Sequence, residues 1–227
     1  MSRISQHDGN IFNSSADAVV VTVNCLGFMG KGMALECALR YPHVEKRYKD
    51  LCKSGDVQIG RMGWVQTDKS GQIVLFPTKT DYKLPSRISY IEDGLENLVQ
   101  DIPKYGVRSI AIPRLGSELG GLDWNQVSPK VERAFEGIDI QVEMWSFGLS
   151  KPDPLLIQLF TKLKSDSAGA INHLGISSEQ LNNVVTWMDN ALPTNASDLL
   201  KIPGMGKVTA IKMLAWAESP TELSLFD

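Results

Sequence analysis

Residues 19–39 read VVVTVNCLGFMGKGMALECAL, and this stretch decides the fold class. The apolar run 19–23 predicts a buried strand, residues 24–32 a glycine-rich turn, and residues 33–39 a helix. Three glycines in the turn let the backbone take left-handed angles and approach a ligand closely, and the first amides of the helix carry partial positive charge. A turn of this kind is suited to hold an anion, most often a phosphate.

Two familiar phosphate loops do not match this turn. A P-loop has a hydroxyl residue directly after Gly-Lys, whereas Lys31 is followed by Gly32. The dinucleotide fingerprint, begun at Gly30, meets Leu35 where its last glycine belongs. The pattern therefore argues against a P-loop NTPase and an ordinary dehydrogenase. A turn without a ligand, with Lys31 as a solvated charge at a helix start, stays open as the alternative.

The composition narrows the classes of protein to which the chain can belong. A chain of 227 residues with 43% hydrophobic content can bury one good core and a second small one. It has no long apolar run and no secretion signal at its N-terminus, so we expect a cytoplasmic protein with no membrane contact. Three unclustered cysteines and three scattered histidines predict no disulfide framework and no metal site. Because the net charge is -3, any contact with DNA must be local.

Outward from the opening stretch, strands and helices alternate. The predicted elements are a hairpin of strands 61–67 and 72–76, a helix in 86–105, a strand at 109–113, a helix at 126–135 and a strand at 140–145. This order predicts an α/β layer structure with a mostly parallel sheet.

The pattern changes at residues 151–154, which read KPDP, and nothing beyond them resembles a strand. We therefore predict two domains, 1–150 and 151–227, the second all-helical. Its predicted helices are 155–163, 178–188, 196–201 and 207–217.

Two further segments follow predicted strands, where ligands of open α/β sheets bind. Residues 113–124, PRLGSELGGLDW, form a second glycine-bearing loop, and two such loops can hold the two ends of a diphosphate. Lys79 ends the second hairpin strand. A lysine at this place is a candidate nucleophile, since partial desolvation lowers its pKa. The alternative is an ordinary surface lysine at a strand end.

Taken together, four motifs in order resemble a macrodomain. They are GNIF at 9–12, VNCLGFMGKG at 23–32, FPTK at 76–79 and LGSELGGLDW at 115–124. The resemblance is to the DarG type, antitoxins that remove ADP-ribose from DNA. It implies a three-layer fold with a mixed, mostly parallel sheet between helices, a DNA ADP-ribosyl glycohydrolase activity without a cofactor or metal, and a cognate ADP-ribosyltransferase toxin as a partner.

The resemblance also implies roles for residues. Lys79 matches the lysine on which catalysis depends, acting at the anomeric carbon of the distal ribose. The residues implied to bind ADP-ribose are Gly9, Asn10 and Ile11 at the adenine, Asn24 at the distal ribose, and Gly27, Met29, Gly30, Lys31, Gly32, Leu115, Gly116, Ser117, Glu118, Leu119, Gly120 and Gly121 at the diphosphate. For Asn24, capping of the following turn is the alternative.

Three positions depart from the family pattern. Asn10 stands where many macrodomains have aspartate, and its amide oxygen can still accept a hydrogen bond from adenine. Gly120 replaces the catalytic aspartate of the related glutamate-ADP-ribose hydrolases, which favours the DNA-acting branch. Glu118 replaces a usual glycine, and we expect its carboxylate to point to solvent rather than to tune the chemistry.

The C-terminal segment 199–214 resembles a helix-hairpin-helix motif. In that family Gly204, Gly206 and Lys207 would present backbone amides and a cation to a DNA phosphate. The alternative is a tight turn between two packed helices.

These observations leave three functions open. The first is a hydrolase that removes ADP-ribose from modified DNA bases, with the helical tail bringing it to DNA. The second is a module that binds ADP-ribose without cleaving it, and the third is a hydrolase of protein-linked ADP-ribose. Gly120 favours the second function, and Lys79 opposes it.

Overall fold

The chain forms two compact units, residues 1–148 and 149–227, and each is considered by itself. The computed structural model describes residues 3–67, 71–147, 152–190 and 193–219. The boundary predicted after residue 150 lies outside these described residues. Within them, no helix is both long and apolar enough to cross a membrane.

The first unit is built on a six-stranded sheet. Its strands are β1 (Arg3–Asp8), β2 (Ala18–Asn24), β3 (Gly63–Gln66), β4 (Gln72–Lys79), β5 (Ser109–Pro113) and β6 (Gln141–Ser146). The strand order is β1-β6-β5-β2-β4-β3, and every neighbouring pair is parallel except β3 with β4. The predicted α/β class with a mixed, mostly parallel sheet is therefore confirmed, and so is the hairpin.

Helices cover both faces of this sheet. They are α1 (Gly32–Arg40), α2 (Pro42–Ser54), α3 (Ile88–Tyr105) and α4 (Trp124–Ala134), and a single 3-10 turn lies at Ile11–Asn13. In β2, Val19, Val21 and Val23 pack with α1 and α2, whereas Ala18 and Val20 pack with α3 and α4. A strand buried on both faces reads as an unbroken apolar run, which is why the sequence located β2 correctly.

Two elements of this unit were not predicted. β1 is a polar strand at the edge of the sheet, and its six residues pair with β6 along their whole length. α2 is mostly charged and polar, and its buried residues are only Val44, Tyr48 and Leu51. These three side chains, spaced four and three residues apart, place one side of the helix in the core.

The parallel strands bring their following loops together. β2, β4 and β5 lie side by side and run in the same direction, so the segments 25–31, 80–87 and 114–123 begin at the same edge of the sheet. In open α/β sheets this edge, at the carboxyl ends of the strands, is where ligands bind.

The second unit is helical. It contains α5 (Pro154–Ser165), α6 (Ser167–Leu174), α7 (Ser178–Asn190), a 3-10 helix at Ala196–Lys201 and α8 (Lys207–Glu218). The predicted helical C-terminal region is confirmed, although α6 was missed. Gly169 lies inside α6, and its amide donates to the capping carboxylate of Asp166 at 2.8 Å. A Cβ at position 169 would collide with that carboxylate, so glycine supports the start of this helix instead of breaking it.

Candidate active site

A cavity of about 450 Å³ lies at the carboxyl edge of the sheet, between the loops that follow β2, β4 and β5. The predicted site residues that line it are Asn24, Gly30, Lys31, Gly32, Lys79, Gly116, Ser117, Glu118, Leu119 and Gly120. The structure thus brings the two glycine loops and the candidate catalytic lysine to one cavity.

The first loop is held in shape by Asn24, which is buried. Its Nδ2 donates to the carbonyl of Phe28 at 2.7 Å, and its Oδ1 accepts from the amide of Leu26 at 2.8 Å. The hydroxyl of Tyr48 donates to the Asn24 carbonyl at 2.6 Å. Asn24 therefore closes the following turn, as the alternative in the sequence analysis predicted. Contact between Asn24 and a ribose stays a prediction.

The three glycines of this loop serve different purposes. Gly27 and Gly32 have φ of +78° and +56°, the left-handed angles expected from the sequence. Gly30 does not have a positive φ. A Cβ at position 30 would instead collide with the ring of Phe28, so the missing side chain makes room for that ring.

The second loop packs tightly on itself. Gly116 has a φ of +65°, and its carbonyl accepts from the amide of Leu122 at 3.0 Å. A Cβ at position 120 would collide with the Gly116 carbonyl and the Ser86 hydroxyl, and the Gly120 carbonyl accepts from the Ser86 amide at 3.0 Å. The loop in this conformation has no room for any side chain at position 120, a catalytic carboxylate included.

Lys79 lies at the end of β4, beside Asn24 of β2, and its side chain reaches into the cavity. Its Nζ donates to the carbonyl of Leu119 in the second loop. The thiol of Cys25 donates to the carbonyl of Lys79 at 3.3 Å. Burial lowers the pKa of Lys79 below the ordinary lysine value. Among the described residues, no carboxylate forms an ion pair with it.

Glu118 is exposed, as expected, yet it also lines the cavity. Partial burial of its carboxyl raises its pKa, and the nearby charge of Arg114 opposes this shift. The exposure of Glu118 agrees with the expectation that its carboxylate points to solvent, and a role in tuning the chemistry stays open.

The other predicted ADP-ribose residues do not line this cavity. They are Gly9, Asn10, Ile11, Gly27, Met29, Leu115 and Gly121, of which Ile11, Met29 and Leu115 are buried in the cores. Asn10 is also buried. Its Nδ2 donates to the Glu36 carboxylate at 3.2 Å, and its Oδ1 accepts from the Phe12 amide at 3.1 Å. Both ends of the side-chain amide are engaged inside the protein, so an adenine contact through its oxygen stays a prediction.

A second hollow of about 210 Å³ lies next to the main cavity, at the ends of β1 and β6. Arg114 lines both. The hollow contains His7 stacked on Trp145, with ring centroids 5.0 Å apart, and the carboxyl-bearing Asp8. Sequence reasoning missed His7 and Asp8 because β1, which carries them, was not predicted.

Sequence reasoning also missed Phe28, Tyr82 and Lys83, which line the main cavity. A signal was available for Tyr82 and Lys83, because they follow β4 at the ligand-binding edge of the sheet.

In the second unit, Gly204 has a φ of +77° and Gly206 precedes the first residue of α8, Lys207. The amide of Met205 donates to the carbonyl of Ile202 at 3.0 Å and closes the turn. Lys201 pairs with Asp198 at 2.7 Å, which reduces the local positive charge. DNA binding by this turn stays a prediction.

Two comparisons decide the family. A family model for the macro domain matches residues 20–131. The solved macrodomain of Thermus aquaticus DarG is 36% identical with a TM-score of 0.61, and the match covers 64% of this chain and 99% of that one. The chain belongs to the macrodomain family. The resemblance of this macrodomain to the DarG type, expected from the four motifs, is confirmed.

Curated relatives of this macrodomain protein carry related names. A Mycobacterium tuberculosis protein named DNA ADP-ribosyl glycohydrolase is 40% identical over 136 residues, which are 59% of this chain and 39% of that protein. A Thermosipho africanus protein named DNA ADP-ribosyl transferase-DNA ADP-ribosyl glycohydrolase fusion protein is 33% identical over 182 residues, covering 72% of this chain and 46% of that protein. The chain spans less than half the length of these two relatives.

Proposed function

We propose that this macrodomain protein hydrolyses the bond between ADP-ribose and a modified base in DNA, and that Lys79 carries the reaction. The observation behind this proposal is the position of Lys79, whose amine lies in a cavity between two glycine loops and against the carbonyl of Leu119. The relatives named DNA ADP-ribosyl glycohydrolases support the choice of substrate.

Backbone amides of the two loops suit the diphosphate, because small residues let it approach the main chain and α1 begins at Gly32 without a side-chain capping hydrogen bond from Lys31. Lys31 adds a cation directly before this helix. The distal ribose then lies towards Lys79, at the end of β4.

The lowered pKa of Lys79 increases the fraction of neutral amine, which is the nucleophilic form. In the proposed reaction the Nζ lone pair attacks the anomeric carbon of the distal ribose, and the bond from that carbon to the base nitrogen breaks. The base leaves with the bonding electrons and takes up a proton. Water then replaces Lys79 at the same carbon, which releases ADP-ribose and restores the amine. The Leu119 carbonyl accepts an N–H of the amine and leaves the lone pair available.

Two substitutions separate attack from charge stabilisation. Lys79→Ala removes both roles, and Lys79→Arg keeps a positive charge without a nucleophilic amine. We expect both variants to lose at least a hundredfold in ADP-ribose release from an ADP-ribosylated single-stranded oligonucleotide, while Lys53→Ala, an exposed lysine of α2, keeps the parental rate. Full activity in Lys79→Ala would refute the role of Lys79, and activity in Lys79→Arg alone would replace attack by charge stabilisation.

The binding module is the second candidate, favoured by the closed space at position 120, where no carboxylate fits. Calorimetry with ADP-ribose and the turnover assay distinguish the two candidates, because a binding module binds ADP-ribose and releases none from DNA. The same assay on ADP-ribosylated protein tests the third function.

The proposal also covers a partner protein, a cellular location and a contact with DNA. The fusion relative names a DNA ADP-ribosyl transferase beside the glycohydrolase, so a transferase of this kind is the proposed partner. We also propose a cytoplasmic location and DNA contact through Gly204, Gly206 and Lys207. Removal of the second unit would then weaken salt-dependent DNA binding, and unchanged binding would contradict this part.

A further inference from the structure

Exposed apolar side chains lie on the loops after β2, β4 and β5, which form the cavity. Phe28 and Tyr82, which we call the aromatic rim, are 51% and 46% exposed, and their ring centroids lie 4.8 Å apart. Leu26, Leu84 and Leu119 are exposed on the same three loops. Large apolar side chains exposed next to one another mark a binding surface more often than single ones do.

The aromatic rim is held in place by the backbone beneath it. The Phe28 ring occupies the space that a Cβ at position 30 would fill, and Gly30 has no left-handed φ that would otherwise require glycine. Asn24 fixes the carbonyl of Phe28 from below at 2.7 Å. The Phe28 half of the rim is therefore preorganised, which lowers the entropy lost when a flat ligand stacks on it.

The strand order shows which part of a substrate meets the rim. The crevice runs from the hollow at β1 and β6, past Arg114 after β5, to Lys79 on β4. Four strand steps separate β1 from β4, or about 19 Å. Tyr82 follows β4, at the Lys79 end of this crevice. With the distal ribose at Lys79, the group attached to that ribose leaves the cavity over the rim.

Charges beside the rim fit phosphate groups. The Lys83 Nζ lies 5.6 Å from the centroid of the Tyr82 ring, and both Lys83 and Lys31 line the cavity. Two acidic residues are also near. Asp81 accepts from the Lys83 amide at 2.9 Å and so closes its own turn, and the pKa of Glu118 is raised by burial. Aromatic faces next to lysines are the combination that binds single-stranded nucleic acid.

We propose that the aromatic rim stacks an unpaired base adjoining the modified nucleotide, and that it thereby favours a DNA strand over the isolated modified nucleoside as the substrate. This inference rests on the proposed function. In this proposal the two half-exposed rings of the cavity lining stack the neighbour of the base that is bonded to the ribose at Lys79. In a duplex, the faces of the adjoining bases are covered by their stacked neighbours and cannot reach the rings.

The test compares an ADP-ribosylated single-stranded oligonucleotide with the same ADP-ribosylated nucleoside as substrates of the parental protein and of Tyr82→Ala. We expect Tyr82→Ala to lose about tenfold in kcat/KM on the strand, equivalent to about 1.4 kcal/mol and within the range for one stacked base, and clearly less on the nucleoside. Tyr82→Phe keeps the ring and should keep the strand preference. Tyr105→Ala is the matched control, because Tyr105 is an exposed tyrosine, 43% exposed, that stacks on Trp64 and does not line the cavity.

A strand with abasic sites on both sides of the modified nucleotide should react like the nucleoside. Equal losses on strand and nucleoside in Tyr82→Ala, or an unchanged rate on the abasic strand, would overturn the stacking role. Failure of the proposed function has a different result, since the parental protein then releases no ADP-ribose from either substrate. In that case anisotropy binding of the labelled strand and the nucleoside tests the rim directly: an equal affinity for both refutes it, and a preference that Tyr82→Ala abolishes supports it.

Discussion

Replacing Asn10 by aspartate restores the residue that many macrodomains carry at this position, and the structure predicts that the exchange harms this protein. The Asn10 side chain is buried and donates to the Glu36 carboxylate at 3.2 Å. Glu36 also accepts from Arg40 Nε at 2.9 Å. An aspartate at position 10 would place a second carboxylate against Glu36, with Arg40 as the cation they share.

The magnitude follows from two contributions. The hydrogen bond to a charged group is lost, at a cost of about 1.5–3 kcal/mol. Two like charges at the present 3.2 Å repel by about 5 kcal/mol at an effective dielectric constant of about 20, and attraction to Arg40 and side-chain relaxation offset much of this. We therefore expect Asn10→Asp to lower the free energy of unfolding by about 2–4 kcal/mol at neutral pH.

The stability loss of Asn10→Asp should depend on pH, because it requires the introduced carboxyl to be ionised. Repulsion raises the pKa of the introduced carboxyl in the folded protein above its unfolded value of about 3.9. The penalty is therefore present at neutral pH, and it disappears as the pH falls below that unfolded value. Urea unfolding at pH 7 and at about pH 3 measures the two limits.

A second substitution isolates the cause. In Asn10→Asp/Glu36→Gln, the glutamine amide can donate to the new carboxylate, so most of the lost stability should return, while Glu36→Gln alone serves as the control. Calorimetry with ADP-ribose completes the assay. An Asn10→Asp protein that is as stable as the parent and binds ADP-ribose more tightly would refute the reasoning, because position 10 would then face the ligand instead of Glu36.

Three further predictions concern the cavity. The rate of ADP-ribose release should rise with pH through the depressed pKa of Lys79, with an inflection below the ordinary value of about 10.4; a pH–rate profile that is flat or falls over this range contradicts the neutral amine as the reacting form. Gly120→Ala should cost about 1–3 kcal/mol of stability and weaken ADP-ribose binding, because the new Cβ collides with backbone and with Ser86; thermal unfolding and calorimetry check both effects. Tyr48→Phe should cost about 1 kcal/mol in urea unfolding by removing the donor to the Asn24 carbonyl, and an unchanged midpoint would show that this hydrogen bond does not stabilise the first loop.

The parts of the fold that the sequence predicted are those with a strong apolar period. β2 is buried on both faces, and α3 buries residues at helical spacing from Ile91 to Ile102, so each element can be predicted from its own segment of sequence. β1 is stabilised by ladder hydrogen bonds to β6, which lies more than a hundred residues away in sequence. No local window contains that information. α6 was missed because Gly169 reads as a helix breaker, although its amide completes the cap made by Asp166.

For the candidate site, the sequence predicted the location but not the role of each residue. Motif order and the rule that ligands bind at strand ends brought both glycine loops and Lys79 to one cavity, and the structure has them there. The role of each glycine was not predictable from the sequence. Gly32 has a left-handed φ, whereas Gly30 leaves space for the Phe28 ring, and the residue type alone does not distinguish these two roles. The two uses differ in which substitutions they tolerate: an alanine at Gly32 meets backbone strain together with Leu119, whereas the nearest atoms to an alanine Cβ at Gly30 belong to the side chain of Phe28.

That difference connects the loop to the substrate. Because Gly30 is free of backbone strain, its exchange for alanine displaces the Phe28 ring and leaves the left-handed turns at Gly27 and Gly32 in place. If the Phe28 ring stacks a base, such a displacement should weaken binding of the DNA strand and leave binding of the diphosphate unchanged. In the proposed function, the glycine-rich turn would thus combine an anion site at its left-handed residues, Gly27 and Gly32, with a base-stacking surface that rests on Gly30, which has no left-handed φ.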